Sequence, residues 1–188
     1  MRIISGKYKG RTIKMAKGIR PTQNKVRKAI FDILGDIEGL SFLELFAGTG
    51  AVGFEALSKG AAGMVLVENS RQSIQVIKDN IKALGASNCE LLVVDSDKAI
   101  EILARNKKKF EIIFLDPPYY KGLAKKTLQL LCACDILAGN GFIIVQHFSK
   151  DNLPDIQGGL ILFKRFKYGD TLLSFYKHAP ESHISRQL

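Results

Sequence analysis

This sequence of 188 residues predicts a doubly wound α/β fold on a mostly parallel sheet, and three observations predict it. Short, nearly all-apolar runs alternate with helical segments, each run stops at a polar corner bearing glycine, proline or a carboxylate, and the helical segments keep their apolar residues on one face. Strands covered on both sides read as continuous apolar runs, and repeated strand-helix-strand units cross over right-handedly.

Residues 2–14 alternate weakly about the turn-rich stretch from Ser5 to Gly10 and predict a small basic β-hairpin. Gly18 to Thr22 reads as a loop. Thr22 or Asn24 is placed to cap a helix whose stripe is Val26, Ala29, Ile30, Ile33 and Leu34, ending near Gly35. Strand 41–46 leads to a helix near 51–58, strand 64–68 to helix 70–84, strand 90–94 to helix 97–106, and strand 111–115 to helix 123–134. Strand 141–147 closes the series. Helix 70–84 is the best marked: Asn69 or Ser70 caps it, Ile74, Ile77, Ile81 and Leu84 share a face, and Gly85 stops it. Segments 160–166 and 171–177 flank Lys167-Tyr168-Gly169-Asp170 and predict a terminal antiparallel hairpin. The expected organisation is a basic extension over 1–20, followed by one domain over 21–188 whose core, beginning near Ser41, survives loss of residues 1–14.

A hydrophobic content of 46% suffices for one core, and the length leaves no room for a separate large substrate domain. No apolar run is long enough to cross a bilayer and the stretch MRIISGKYKG has no apolar leader core, so a cytoplasmic protein is expected. Cys89, Cys132 and Cys134 lack finger-like spacing; the pair at 132 and 134 reads as helix packing, and no metal is expected. Charge is the second large clue. Residues 1–28 hold ten basic residues and no acid, whereas the remainder holds 18 of each sign, so the net charge of +10 resides in the N-terminal segment. Arg2, Lys7, Lys9, Arg11, Arg20, Lys25 and Arg27 are its candidate nucleic-acid contacts, against the plainer reading of a solvated charged face.

The run Ile112 to Leu115 halts at Asp116-Pro117-Pro118-Tyr119. Two prolines cannot extend a ladder, so the corner is stiff and sets a carboxylate and the Pro117 carbonyl beside a flat aromatic ring. That combination suits a planar base bearing an amino group, which stacks on Tyr119 while its NH2 donates to the acceptors. The motif resembles the signature of S-adenosylmethionine-dependent methyltransferases that act on exocyclic amino groups of nucleic-acid bases; the alternative is a corner that merely ends a strand.

Gly48-Thr49-Gly50-Ala51-Val52-Gly53 matches the dinucleotide fingerprint letter for letter, so a nicotinamide enzyme must be weighed. Glu44 argues against it, because a carboxylate beside the glycine turn repels a pyrophosphate and attracts the ammonium group of a sulfonium cofactor. Glu68, which ends the second strand, suits the ribose hydroxyls; Asp95, which ends the third, suits the adenine amino group, with the backbone at Ser96 beside it, so that with Glu44 three strands in a row end in a carboxylate. Phe46, Gly48, Gly50 and Asn69 complete the candidate cofactor set.

This order of features resembles the class I methyltransferase fold: Rossmann-like, doubly wound, with a mostly parallel seven-stranded sheet and a terminal antiparallel hairpin. Arg2-Ile3-Ile4-Ser5-Gly6, Gly10-Arg11, Arg20-Pro21-Thr22, Val26-Arg27 with Phe31, the glycine loop, the corner and Tyr168-Gly169-Asp170-Thr171 narrow the resemblance to the RsmD family across essentially the whole chain. Glu44 and Asn69 stand where that family more often has Asp. The resemblance implies an enzyme that uses S-adenosylmethionine to methylate the N2 amino group of one guanine in 16S rRNA, within an assembled or partly assembled 30S subunit; a monomer is expected. Asp116, Pro117, Pro118 and Tyr119 would carry the catalysis. A DNA adenine-N6 methyltransferase and a non-catalytic RNA-binding assembly protein are the alternatives.

Overall fold

The computed structural model describes residues 1–16, 18, 22–119 and 122–180, which form two compact units, Met1–Ser96 and Asp97–Leu188. Arg20 lies outside the described residues. In the first unit, α1 (Asn24–Leu34) precedes β1 (Ser41–Leu45), α2 (Ala51–Ser58), β2 (Gly63–Val67), α3 (Arg71–Leu84) and β3 (Cys89–Leu92). Its strands run parallel in the order β3-β2-β1, with Leu43 opposite Val65 and Leu66 opposite Leu91. Helix α2 lies against β1 and β2.

The second unit holds α4 (Ser96–Arg105, starting at the boundary), β4 (Phe110–Leu115), α5 (Leu123–Cys134), β5 (Leu137–Phe148), β6 (Ile156–Gln157), β7 (Leu160–Tyr168) and β8 (Thr171–His178). Its strands take the order β4-β5-β8-β7-β6, parallel between β4 and β5 and antiparallel beyond. The predicted parallel strands and terminal hairpin are therefore present. The two-residue β6 is an addition to the seven strands expected. Strand β5 starts four residues earlier than expected because buried Leu137 already pairs with Phe110, ahead of a bulge. Among the described residues no helix is long and apolar enough to cross a membrane.

Two sequence expectations change in the first unit. Residues 2–14 make no strand ladder, only one antiparallel bridge, Arg2 to Thr12. Around that bridge the segment folds back on itself, with Ile3 N donating to Arg11 O at 3.0 Å, Gly10 N to Ile3 O at 2.9 Å and Ile13 N to Met1 O at 2.8 Å, and polar side chains buried on the helices hold it to the unit. Glu55 of α2 accepts from Ile4 N at 2.9 Å, Ser5 N at 2.8 Å and Ser5 Oγ at 2.9 Å; Ser58 Oγ accepts from Tyr8 N; and the Asn80 amide of α3 pairs with both Lys14 N and Lys14 O. Gly6 presses against the end of α2 with φ +77°, where a Cβ would stand 1.8 Å from Ser58 O. Only glycine fits there. With Ile3, Tyr8 and Ile13 in the core cluster, the segment is built into this unit, contrary to the expected detachable extension.

Arg27 is the second change. Helix α1 buries Val26, Arg27, Ile30 and Phe31, a face rotated from the predicted stripe, with Phe31 stacked on Phe42. The Arg27 side chain is fully buried: Nε lies 3.4 Å from Glu55 Oε2, and Nη2 donates to Arg2 O at 2.7 Å. Burial lowers its pKa, opposed by the charges of Glu55 and then Glu44. So placed, it cannot serve as an RNA contact. Breaking a buried pair strands the remaining charge, so Arg27→Ala should lose about 3–5 kcal/mol of stability in urea unfolding, with Lys9→Ala near wild type.

Candidate active site

Each unit carries its own set of candidate side chains. In the first, the chain leaves β1 through a left-handed Phe46 (φ 58°) and turns through Gly48 (φ 56°) and Gly50 (φ 73°) into α2. A left-handed aromatic residue is unusual and is tolerated where the surroundings over-determine the turn. Two carboxylates do so. Glu44 is 3% exposed, and its Oε2 accepts from Gly53 N at 2.8 Å; Glu68 Oε2 accepts from Gly48 N at 2.6 Å, while its Oε1 accepts from Asn69 N at 3.0 Å and Ser70 N at 2.8 Å. The first and last amides of the fingerprint thus go to carboxylates of the protein itself. A pyrophosphate site needs those donors, so the arrangement disfavours a dinucleotide. A ligand with a positive centre and hydroxyl donors suits this acidic surround.

Asn69 Nδ2 donates to Asp95 Oδ1, joining the segments that follow β2 and β3. Asp95 stands three residues beyond β3 and directly before α4, and Glu44 is the penultimate residue of β1, so the carboxylates do not all terminate strands as the sequence suggested. Ser96 is buried as the first residue of α4.

In the second unit, Asp116 follows β4 directly, Pro117 is buried and Pro118 exposed. Asp116 Oδ2 accepts from Gln146 Nε2 at 2.7 Å. The Tyr119 ring lies 5.8 Å from that of Phe148, and its hydroxyl meets Thr171 Oγ1 at 3.1 Å. Sequence reasoning did not place Gln146, Phe148 or Thr171 at this corner, Thr171 having entered only within the motif Tyr168 to Thr171. One signal was available, since Ile143-Ile144-Val145 halts at a polar residue just as the run before Asp116 does.

Of the N-terminal cations, Arg2, Lys7, Lys9, Arg11 and Lys25 are exposed. Lys7 and Arg11 flank the Tyr8 ring at 5.5 and 5.7 Å, and Arg11 also donates to the Ala83 and Leu84 carbonyls at the end of α3.

The mostly parallel sheet with its terminal antiparallel strands is the fold of the class I methyltransferases. The family model described as "Conserved hypothetical protein 95" matches residues 1–177. Ribosomal RNA small subunit methyltransferase D of Escherichia coli K12 is 34% identical over 96% of this chain and 91% of its own length; the protein of the same name from Buchnera aphidicola subsp. Acyrthosiphon pisum is 37% identical over 80% of each. The solved structure of a hypothetical protein from Thermus thermophilus matches with a TM-score of 0.83 at 30% identity, over 94% of this chain and 99% of that one. The chain belongs to this family, the RsmD family that its motifs resemble.

The loop also tests how tightly β1 and α2 are joined. A Cβ on Gly53 would stand 2.4 Å from Met64 Sδ and 2.7 Å from Glu44 Oε2. Gly53→Ala should therefore lose about 1–3 kcal/mol by urea unfolding, as overpacked sites do.

Proposed function

We propose that this chain transfers a methyl group from S-adenosylmethionine to the N2 amino group of a guanine in 16S rRNA, acting as a monomer on an assembled or partly assembled 30S subunit. The observation that carries the reading is the Asp116 corner, a carboxylate and a proline carbonyl held beside a tethered tyrosine. Relatives named for the methylation of small-subunit ribosomal RNA support the substrate class.

Guanine N2 is a poor nucleophile because its lone pair is delocalised into the ring. Acceptance of its two N–H bonds by Asp116 and the Pro117 carbonyl favours tetrahedral nitrogen and restores the pair for in-line attack. S-adenosylmethionine, when bound, would supply an electrophilic methyl on a sulfonium, so that the N–C bond would form as the C–S bond broke and the electron pair stayed on sulfur. The methylated nitrogen then sheds its extra proton to solvent without a strong base. Catalysis by the chain is thus positioning and electrostatics. Tyr119 stacks on a base drawn out of its neighbours, which is easiest at a loop nucleotide. In the first unit, Glu68 and Asp95 would hold the ribose and adenine, the backbone at Phe46, Gly48, Gly50, Asn69 and Ser96 would line the cofactor, and Glu44 would attract its ammonium group while gripping Gly53.

Unmodified 30S subunits, free 16S rRNA and duplex DNA are each offered with labelled cofactor and the methylated base is mapped. Label on N2 of one guanine is expected; label on adenine N6 of DNA would move the reading to a DNA methyltransferase. Asp116→Ala should lower turnover ~10²–10³-fold with cofactor binding nearly unchanged. Glu68→Ala should weaken cofactor binding roughly ten- to a hundredfold by calorimetry, the size of a lost charged hydrogen bond. Lys7 and Lys9 are exposed and basic. Replacing both with Ala should flatten the log–log salt dependence of RNA binding by about 0.7–0.9 for each phosphate that the protein no longer neutralises.

A further inference from the structure

Strands β4 and β5 run parallel with Leu115 opposite Val145, so the residues that follow, Asp116 and Gln146, leave the ladder side by side. Gln146 is 6% exposed, and its Nε2 donates to Asp116 Oδ2 at 2.7 Å. A carboxylate oxygen only accepts, so the amide must turn its NH2 toward Asp116. That orientation leaves Gln146 Oε1 buried with no hydrogen-bond partner among the described residues. An unpaired buried oxygen weakens the fold, and an apolar side chain of similar size would avoid the penalty. What the amide gains lies at its other end, where it fixes the plane of the Asp116 carboxylate.

The same face of β5 supports the rest of the corner. Side chains alternate along a strand, so Gln146 and Phe148 project together, and Phe148 meets the Tyr119 ring. Thr171, the cross-strand partner of Phe148, holds the Tyr119 hydroxyl. His147 is engaged elsewhere, with Nε2 2.8 Å from Ser174 Oγ.

We propose that Gln146 is a positioning residue for methyl transfer: by clamping Oδ2, it presents the Asp116 carboxylate to the amino group of the base in the orientation the transition state requires. This rests on the reading of Asp116 given above. Wild type, Q146L, Q146E and D116A are compared in single-turnover and steady-state assays, with cofactor affinity measured by calorimetry. Q146L should lower kcat by roughly ten- to a hundredfold, as loss of one charge-assisted hydrogen bond does, while the KM for RNA and the cofactor Kd stay unchanged. Q146E sets two carboxylates together; they share a proton at lower pH and repel at higher pH, so its kcat should fall with rising pH in a way that wild type does not share. A merely structural residue would move the melting temperature without that profile. Wild-type kcat in Q146L with D116A inactive would overturn the clamp and leave the Asp116 reading standing. Wild-type kcat in D116A would overturn the Asp116 reading itself. Should Q146L fail to fold, Q146E decides, and a pH profile equal to that of wild type overturns the proposal.

Discussion

The buried pairing of Glu55 with Arg27 is the constraint on which the first unit depends. Glu55 receives the backbone donors of Ile4 and Ser5, and Arg27 reaches from α1 to the same carboxylate and to the Arg2 carbonyl. Charges this deeply buried are tolerated only when paired and hydrogen-bonded, so each partner fixes the other and the chain around it. The consequence is mechanical. Helix α2, which carries Glu55, begins at the glycine turn, so the basic segment and the candidate cofactor loop are anchored to opposite ends of one short helix.

Acids near the glycine turn serve the fold before they serve any ligand. Gly53 donates to Glu44 and Gly48 donates to Glu68, which shapes the turn from both sides and consumes the amides that a pyrophosphate would need. The same residues make the surround acidic, so architecture and ligand preference follow from one placement of charge. The letter-for-letter dinucleotide fingerprint is thereby decoupled from dinucleotide binding: the glycines satisfy packing, with Gly53 against Met64 and Leu66, while the neighbouring carboxylates decide the chemistry.

The corner of the second unit draws its rigidity from a different source. Two prolines stiffen the backbone after Asp116, and strand register brings Gln146, Phe148 and Thr171 to the side chains that flank them. Rigidity in the covalent chain and rigidity from neighbouring strands act on the same four residues, which suits catalysis by positioning.

Local pattern sufficed for what local chemistry controls. Apolar runs, glycine stops and the proline corner placed nearly every strand and helix within two residues, marked Glu44, Glu68, Asp95 and Asp116, and with the N-terminal motifs pointed to the family. Partners distant in sequence were decided by tertiary structure alone. Glu55, Ser58 and Asn80 read as ordinary polar helix residues, yet each turns inward to hold the backbone of residues 4–14. Arg27 read as one cation among ten, yet burial beside Glu55 removes it from the surface. Gln146 became meaningful only once β5 lay parallel to β4. The physical reason is common to all of them: a polar side chain is assigned by the partner that satisfies it, and that partner is chosen by the packing of segments tens of residues apart.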